Sequence, residues 1–232
     1  MEIQLNQSDA GAGIIRVLII DDHALMRDAV KVHLDNVPDI RVVGEGCDGE
    51  EAIELCRRLE PDVVIMDIAM PKLNGLEATR QIKHISPEVE VLVLTVHDNI
   101  EHILKILEAG AAGYLTKSIL GDKLIQAVRS VATGESVLSD DIMNKLLKHA
   151  LRYPTSNPDI DLSSKFSSRE WEVFKMTAKG LSNKQIAQEM GLNLRTIKGH
   201  LANIFSKLNV NSRTEAVILG LRTGLLTIND IS

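Results

Sequence analysis

The stretch from Arg41 to Asp67, "RVVGEGCDGEEAIELCRRLEPDVVIMD", decides how the chain is read. Gly44, Gly46 and Gly49 spell G-x-G-x-x-G between an apolar run and a helix-period one. Asp67 then follows at about the distance where a dinucleotide-binding fold holds a ribose. A pyrophosphate would sit at the helix start near Gly49, drawn by free N–H groups and the helix dipole. Glu45, Asp48, Glu50 and Glu51 occupy that place, and four carboxylates repel a pyrophosphate. The same acids stabilise a helix N-terminus without any ligand. The glycines are therefore read as a strand-to-helix turn, and Asp67 is free for other chemistry.

Outward from this stretch, the chain to about Gly134 alternates short apolar runs with longer amphipathic ones. The runs 16–20, 40–45, 62–66, 90–95 and 112–116 predict strands, and 24–36, 49–59, 75–85, 99–109 and 120–132 predict helices. Five strands alternating with five helices predict an α/β fold, a parallel sheet with helices on both faces. After Gly134 no further strand is expected. Residues 139–152 read as a linker helix capped by Ser139 or Asp140, and 153–165, with two prolines, as a tether. From Phe166 the pattern is helical.

Residues 1–161 carry 16 Lys+Arg against 27 Asp+Glu, and residues 162–232 carry 10 against 5. An acidic part joined to a basic part implies two tasks, with a polyanion as partner of the second. No apolar run is long enough for a membrane span, and the polar start reads as a disordered lead (1–14) rather than a secretory signal. Cys47 and Cys56 fit no metal spacing and read as two reduced thiols of a cytoplasmic protein.

In an open parallel sheet, functional groups collect beyond the carboxyl ends of the strands. Here those ends carry Asp21 and Asp22, Asp67, Thr95 and Lys117. Three clustered carboxylates call for a hard cation, and Mg2+ suits oxygen ligands. Such a site aligns a phosphoryl group with a carboxylate nucleophile, giving an acyl phosphate. Thr95 and Lys117 would each donate a hydrogen bond to the phosphoryl oxygens.

The motifs "LIIDDH", "VVIMDIAMPKLNG", "VLVLT" and "AGYLTK" resemble the receiver domains of two-component response regulators, over residues 15–134. The resemblance implies a flavodoxin-like, doubly wound five-stranded sheet in the order 2-1-3-4-5. It implies Asp67 as phosphoacceptor, with Asp21, Asp22, Asp67 and the backbone carbonyl of Ala69 as Mg2+ ligands. Thr95 and Tyr114 become a switch pair, Lys117 the phosphoryl contact, and a histidine kinase the donor. Ser118 departs from the proline common after that lysine. An aspartyl-phosphate phosphatase would keep an acid two residues after its nucleophile, where this chain has Ala69. Fast turnover then lacks a proton donor, so the chain is expected to be no enzyme beyond phosphorylation and slow dephosphorylation at Asp67. A receiver that is never phosphorylated is the rival reading, and the complete acidic set with Thr95 and Lys117 argues against it.

The segment 181–208, "LSNKQIAQEMGLNLRTIKGHLANIFSKL", has helix-turn-helix form. Ser182 and Asn193 can cap its two helices, and Gly191 supplies the turn. Ile197, Leu201, Ile204 and Leu208 form an apolar stripe opposite Arg195, Lys198, Gly199, Ala202 and Ser206. "SREWEV", "GLSNKQIA", "RTIKGHL" and "SRTEAV" resemble the LuxR-type DNA-binding domain, a second, all-α domain within 166–232. The resemblance puts the second helix in the major groove of double-stranded DNA. Arg195, Thr196, Lys198, Gly199 and Ala202 are then DNA-facing, and Lys184, Lys207 and Arg213 position phosphates. Gly199 and Ala202 can approach a thymine methyl but make no bidentate hydrogen bond. A homodimer on two half-sites is expected, with Val217, Leu219 and Leu221 available for a dimer contact or for the domain's own core.

Overall fold

The computed structural model describes residues 13–96, 99–119, 121–138, 142, 146 and 165–230. The remaining parts of the expected lead, linker helix and tether lie outside these residues. The strands are β1 (Ile15–Ile20), β2 (Ile40–Gly46), β3 (Val63–Met66), β4 (Glu90–Thr95), β5 (Gly113–Thr116) and β6 (Val137–Leu138). All pair in parallel, in the order β2-β1-β3-β4-β5-β6. The helices between them are α1 (Ala24–Asp35), α2 (Gly49–Leu59), α3 (Gly75–Ile85), α4 (Ile100–Glu108) and α5 (Asp122–Ala132).

The sheet shows the period of two that strands impose. Val17 and Ile19 of β1, Val63 and Ile65 of β3, and Leu92 and Leu94 of β4 face α1 and α5. Their neighbours Leu18, Ile20, Val64, Met66, Val91 and Val93 face α2, α3 and α4. Burying each such side chain contributes roughly 1.5–3 kcal/mol, so these two apolar faces fix the register and align the strand ends. Ile142 and Leu146 are buried in the α2–α4 core.

The sixth strand corrects the expectation that strands stop after Gly134. Val137 and Leu138 pair with Gly113 and Tyr114 of β5. A two-residue strand is shorter than any alternating pattern that a sequence can display.

The second domain holds α6 (Ser168–Ala178), α7 (Asn183–Met190), α8 (Leu194–Leu208) and α9 (Arg213–Arg222). Ser167 and Ser182 close capping boxes with Glu170 and Gln185, and Asn193 caps α8 through the Thr196 N–H. Gly191 ends α7 at φ 63°, a left-handed position that glycine adopts without strain. Phe174, Ile186, Ile197, Leu201 and Ile204 form the small core. Val217, Leu219 and Leu221 pack against it.

The two domains touch through the turn between α8 and α9. Four successive residues reach the first domain. Asn211 Nδ2 donates to the Glu108 carbonyl (3.3 Å) and Ser212 Oγ to the Leu107 carbonyl (3.2 Å). Arg213 donates to the Gly134 carbonyl (2.9 Å), and Thr214 Oγ1 lies 2.8 Å from Ser136 Oγ. Ile218 of α9 packs on the α2–α4 core. Gly134 suits this seam, since its φ of 81° is a left-handed position and a Cβ there would press on the Asn183 amide.

Candidate functional site

At the carboxyl edge of the sheet, β1 and β3 end side by side, with Ile20 opposite Met66. The next residues, Asp21 and Asp67, are both buried, at 4% exposure each. Lys117, just beyond β5, bridges them: its Nζ is 2.7 Å from Asp21 Oδ2 and 3.1 Å from Asp67 Oδ2. The Lys117 N–H is tied to the Thr95 carbonyl at 2.8 Å, which fixes the lysine over the end of β4. Asp22 is exposed at the mouth of the cluster. Thr95 and Tyr114 are fully buried, on adjacent strands. The peptide joining Lys117 and Ser118 is trans, as are the others among the described residues.

The charges follow from this packing. Burial pushes the Asp67 carboxyl above the usual carboxylate range, and Lys117 only partly opposes the rise. Burial would lower the Lys117 ammonium, but its hydrogen bonds to Asp21 and Asp67 outweigh that and raise it. One cation thus serves two buried anions with a third beside them, and the set retains a negative excess.

His23 is a member of the cluster that the sequence reasoning missed. Its Nδ1 lies 2.7 Å from Asp22 and 3.4 Å from Asp21. Ligand atoms of Asp21, Asp22, His23 and Asp67 all lie within 4.8 Å of one another. Three carboxylates at that spacing, with a negative excess, fit a hard divalent cation. The adjacency "DDH" was the available signal for His23.

The helix-turn-helix residues divide into two groups. Lys184, Arg195, Lys198, Gly199 and Ala202 are exposed, and Thr196 is half-buried behind its bond to Asn193. Lys198 and Ala202 look across a cleft toward Glu60, Asp62 and Glu88 of the first domain. Lys207 is held by Glu170 at 2.6 Å. Arg213 differs from its expected place on the surface. It is 7% exposed, and its guanidinium donates to the carbonyls of Gly134, Thr177 and Leu181. Burial lowers its pKa to about 10. In this arrangement Arg213 is an interdomain strut rather than a phosphate contact. The physical reason is that its guanidinium gathers carbonyls from the α6 end, the following loop and the first domain, partners that no local pattern announces.

Comparison with known proteins finds two family matches along the chain. The family model for the response regulator receiver domain matches residues 17–129. The model for bacterial regulatory proteins of the luxR family matches residues 164–219. The transcriptional regulatory protein DegU of Brevibacillus brevis is 39% identical over 228 residues, covering 92% of this chain and 96% of that one. The response regulator protein VraR of Staphylococcus aureus is 36% identical over 212 residues, covering 91% and 99%. Among solved structures, the response regulator ChrA of a heme-sensing two-component system is 36% identical, with TM-score 0.50, covering 92% of this chain and all of that one. A LuxR-family response regulator from Aurantimonas sp. SI85-9A1 is 34% identical, with TM-score 0.57, covering 60% and 99%.

Proposed function

Because the chain belongs to the two-component response regulators that join a receiver to a LuxR-type DNA-binding domain, we propose that it is a cytoplasmic transcription factor switched by phosphorylation of Asp67. The donor is the phosphohistidine of a cognate histidine kinase. The observation that carries the reading is Lys117 bridging buried Asp21 and Asp67 at the sheet edge. An Asp67 oxygen attacks phosphorus and the P–N bond of the phosphohistidine breaks. The imidazole leaves with its electron pair and takes up a proton. Asp21, Asp22, Asp67 and the Ala69 carbonyl would hold Mg2+, which would neutralise the phosphoryl charge when bound. Lys117 favours the ionised form of Asp67 before transfer and moves to a phosphoryl oxygen afterwards. Thr95 donates its hydroxyl hydrogen to another. Ala69, where a phosphatase keeps its acid, lets the acyl phosphate persist.

The packing offers a route from this event to DNA. Thr95 ends β4, and Tyr114 beside it belongs to the same core as Ile103, Ile106 and Leu107 of α4. The Leu107 carbonyl and that core hold Ser212 and Ile218 of the DNA-binding domain. Movement of the Thr95–Tyr114 pair shifts α4, weakens the seam, and frees α8 to enter the major groove as part of a homodimer. Lys198 and Ala202 then exchange the acidic cleft for a DNA edge, with Arg195, Thr196 and Gly199 beside them and Lys184 on a phosphate.

Intact mass after incubation with a small-molecule phosphodonor and Mg2+ tests the assignment. One added phosphoryl group on the wild type, absent from Asp67→Asn, is the expected result. Equal modification of both proteins, or of neither, favours a regulator that works without phosphorylation.

A further inference from the structure

The proposed chemistry leaves the buried carboxylate of Asp48 unused. Asp48 is fully buried at the start of α2. Its Oδ1 accepts the N–H groups of Glu50 and Glu51 at 3.0 and 2.9 Å. That one oxygen completes the helix cap, a task that asparagine or serine performs as well. The other oxygen, Oδ2, takes Lys72 Nζ at 2.6 Å. Lys72 lies in the loop between β3 and α3, five residues after Asp67. It holds φ 56°, a left-handed conformation in which a bulky side chain is uncommon. Beside this pair, the Gly49 N–H donates to the Leu73 carbonyl at 2.9 Å. A Cβ on Gly49 would stand 2.5 Å from that oxygen. The N-terminus of α2 therefore grips two successive residues of the loop that leaves the phosphoacceptor. The far end of the loop is gripped separately, where Gly75 N–H donates to the Ile68 carbonyl at 2.9 Å.

We propose that Asp48 and Lys72 are a positioning pair for the phosphoacceptor loop. They hold Lys72 left-handed and so fix the chain between Asp67 and Asn74, on which cation affinity at Asp67 depends. The inference rests on the proposed function, which assigns the Ala69 carbonyl of this loop to Mg2+. The magnitudes separate this role from plain stabilisation. The Lys72 side chain is 58% exposed and that of Asp48 1%, so losing Lys72 alone strands a buried carboxylate, whereas replacing both partners together avoids that cost. Partners that orient a metal's ligands, in contrast, typically change metal affinity by about 10–100-fold when removed. Replacing both partners in K72M/D48N should thus disturb unfolding less than Lys72→Met alone while still weakening the cation.

The test is calorimetric titration of the full chain with Mg2+, using Lys72→Met, Lys72→Arg, Asp48→Asn and the double variant K72M/D48N. Asp48→Asn keeps the cap acceptor and turns the oxygen that takes Lys72 into an amide donor. Lys72→Met and Asp48→Asn should each weaken Mg2+ binding by about tenfold, and the double variant should be no worse than either. Lys72→Arg should restore affinity to within about twofold, and the rate of phosphorylation at saturating Mg2+ should stay near wild type throughout. Unchanged affinity in Lys72→Met and Asp48→Asn, or additive losses in the double variant, overturns the pair while a phosphorylated wild type leaves the proposed function standing. A wild type that neither binds Mg2+ nor accepts a phosphoryl group overturns the function on which the pair depends.

Discussion

Lys117 decides the electrostatics of the site. It is the group that makes two buried carboxylates tolerable, with 13% of its own side chain exposed. Leaving a buried ion without its partner typically costs about 3–5 kcal/mol. Lys117→Met should accordingly lower the thermal midpoint without divalent cations, and added Mg2+ should recover more of that loss than it gives the wild type. Equal Mg2+ effects on both proteins would mean that lysine and cation do not share the carboxylates. At this scale the site was largely legible in the sequence. Asp21, Asp67, Thr95 and Lys117 each stand at a strand end, and parallel pairing brings strand ends together whatever the loops do. The Asp48–Lys72 pair was not legible, because it depends on how one loop folds against the next helix start.

Among the elements, the stretch that first suggested a nucleotide site proves to be β2, a turn and a capped α2. Of its acids, Asp48 is the cap and a hold on the next loop, and Glu45 pairs with Lys31 of α1. The five long strands and the helices between them were readable because their apolar residues recur with clear periods. β6 escaped because two residues carry no period. In the second domain, Glu170 joins α6 to α8 through Lys207. Lys207, with help from the Ser167 cap, holds the Glu170 carboxyl down at about 2. A carboxyl depressed below its unfolded value of 4.5 stabilises the fold above that value. The contribution fades as pH falls from there towards 2. Glu170→Gln keeps a cap acceptor and loses the charge. It should cost about 1–3 kcal/mol at pH 7, and the difference from wild type should shrink below pH 4 and vanish near 2. Urea unfolding at pH 7 and pH 3 measures it. A pH-independent difference would show that the side chain acts through packing alone.

For the molecule as a whole, the seam between domains matches the size of the signal. Asn211, Ser212, Arg213 and Thr214 make four hydrogen bonds across it. At a net of roughly 0.5–1.5 kcal/mol each, they supply roughly 2–6 kcal/mol. Moving a two-state mixture from 1:99 to 99:1 takes about 5.5 kcal/mol. The phosphorylation proposed at Asp67 would have to offset a seam of this strength through α4. Two domains were evident from the charge division of the sequence. Their contact was not, because "NSRT" looks like an ordinary turn and helix start. Its side chains acquire a meaning only when α4 and Gly134 lie opposite.

Hydrogen exchange followed by mass spectrometry, on wild type and Asp67→Asn with phosphodonor and Mg2+, tests the central claim most directly. Exchange should rise at residues 107–108, 134–136 and 211–214 in the phosphorylated wild type and stay slow in the variant. A wild type that carries the phosphoryl group while these three segments keep their protection would contradict the account.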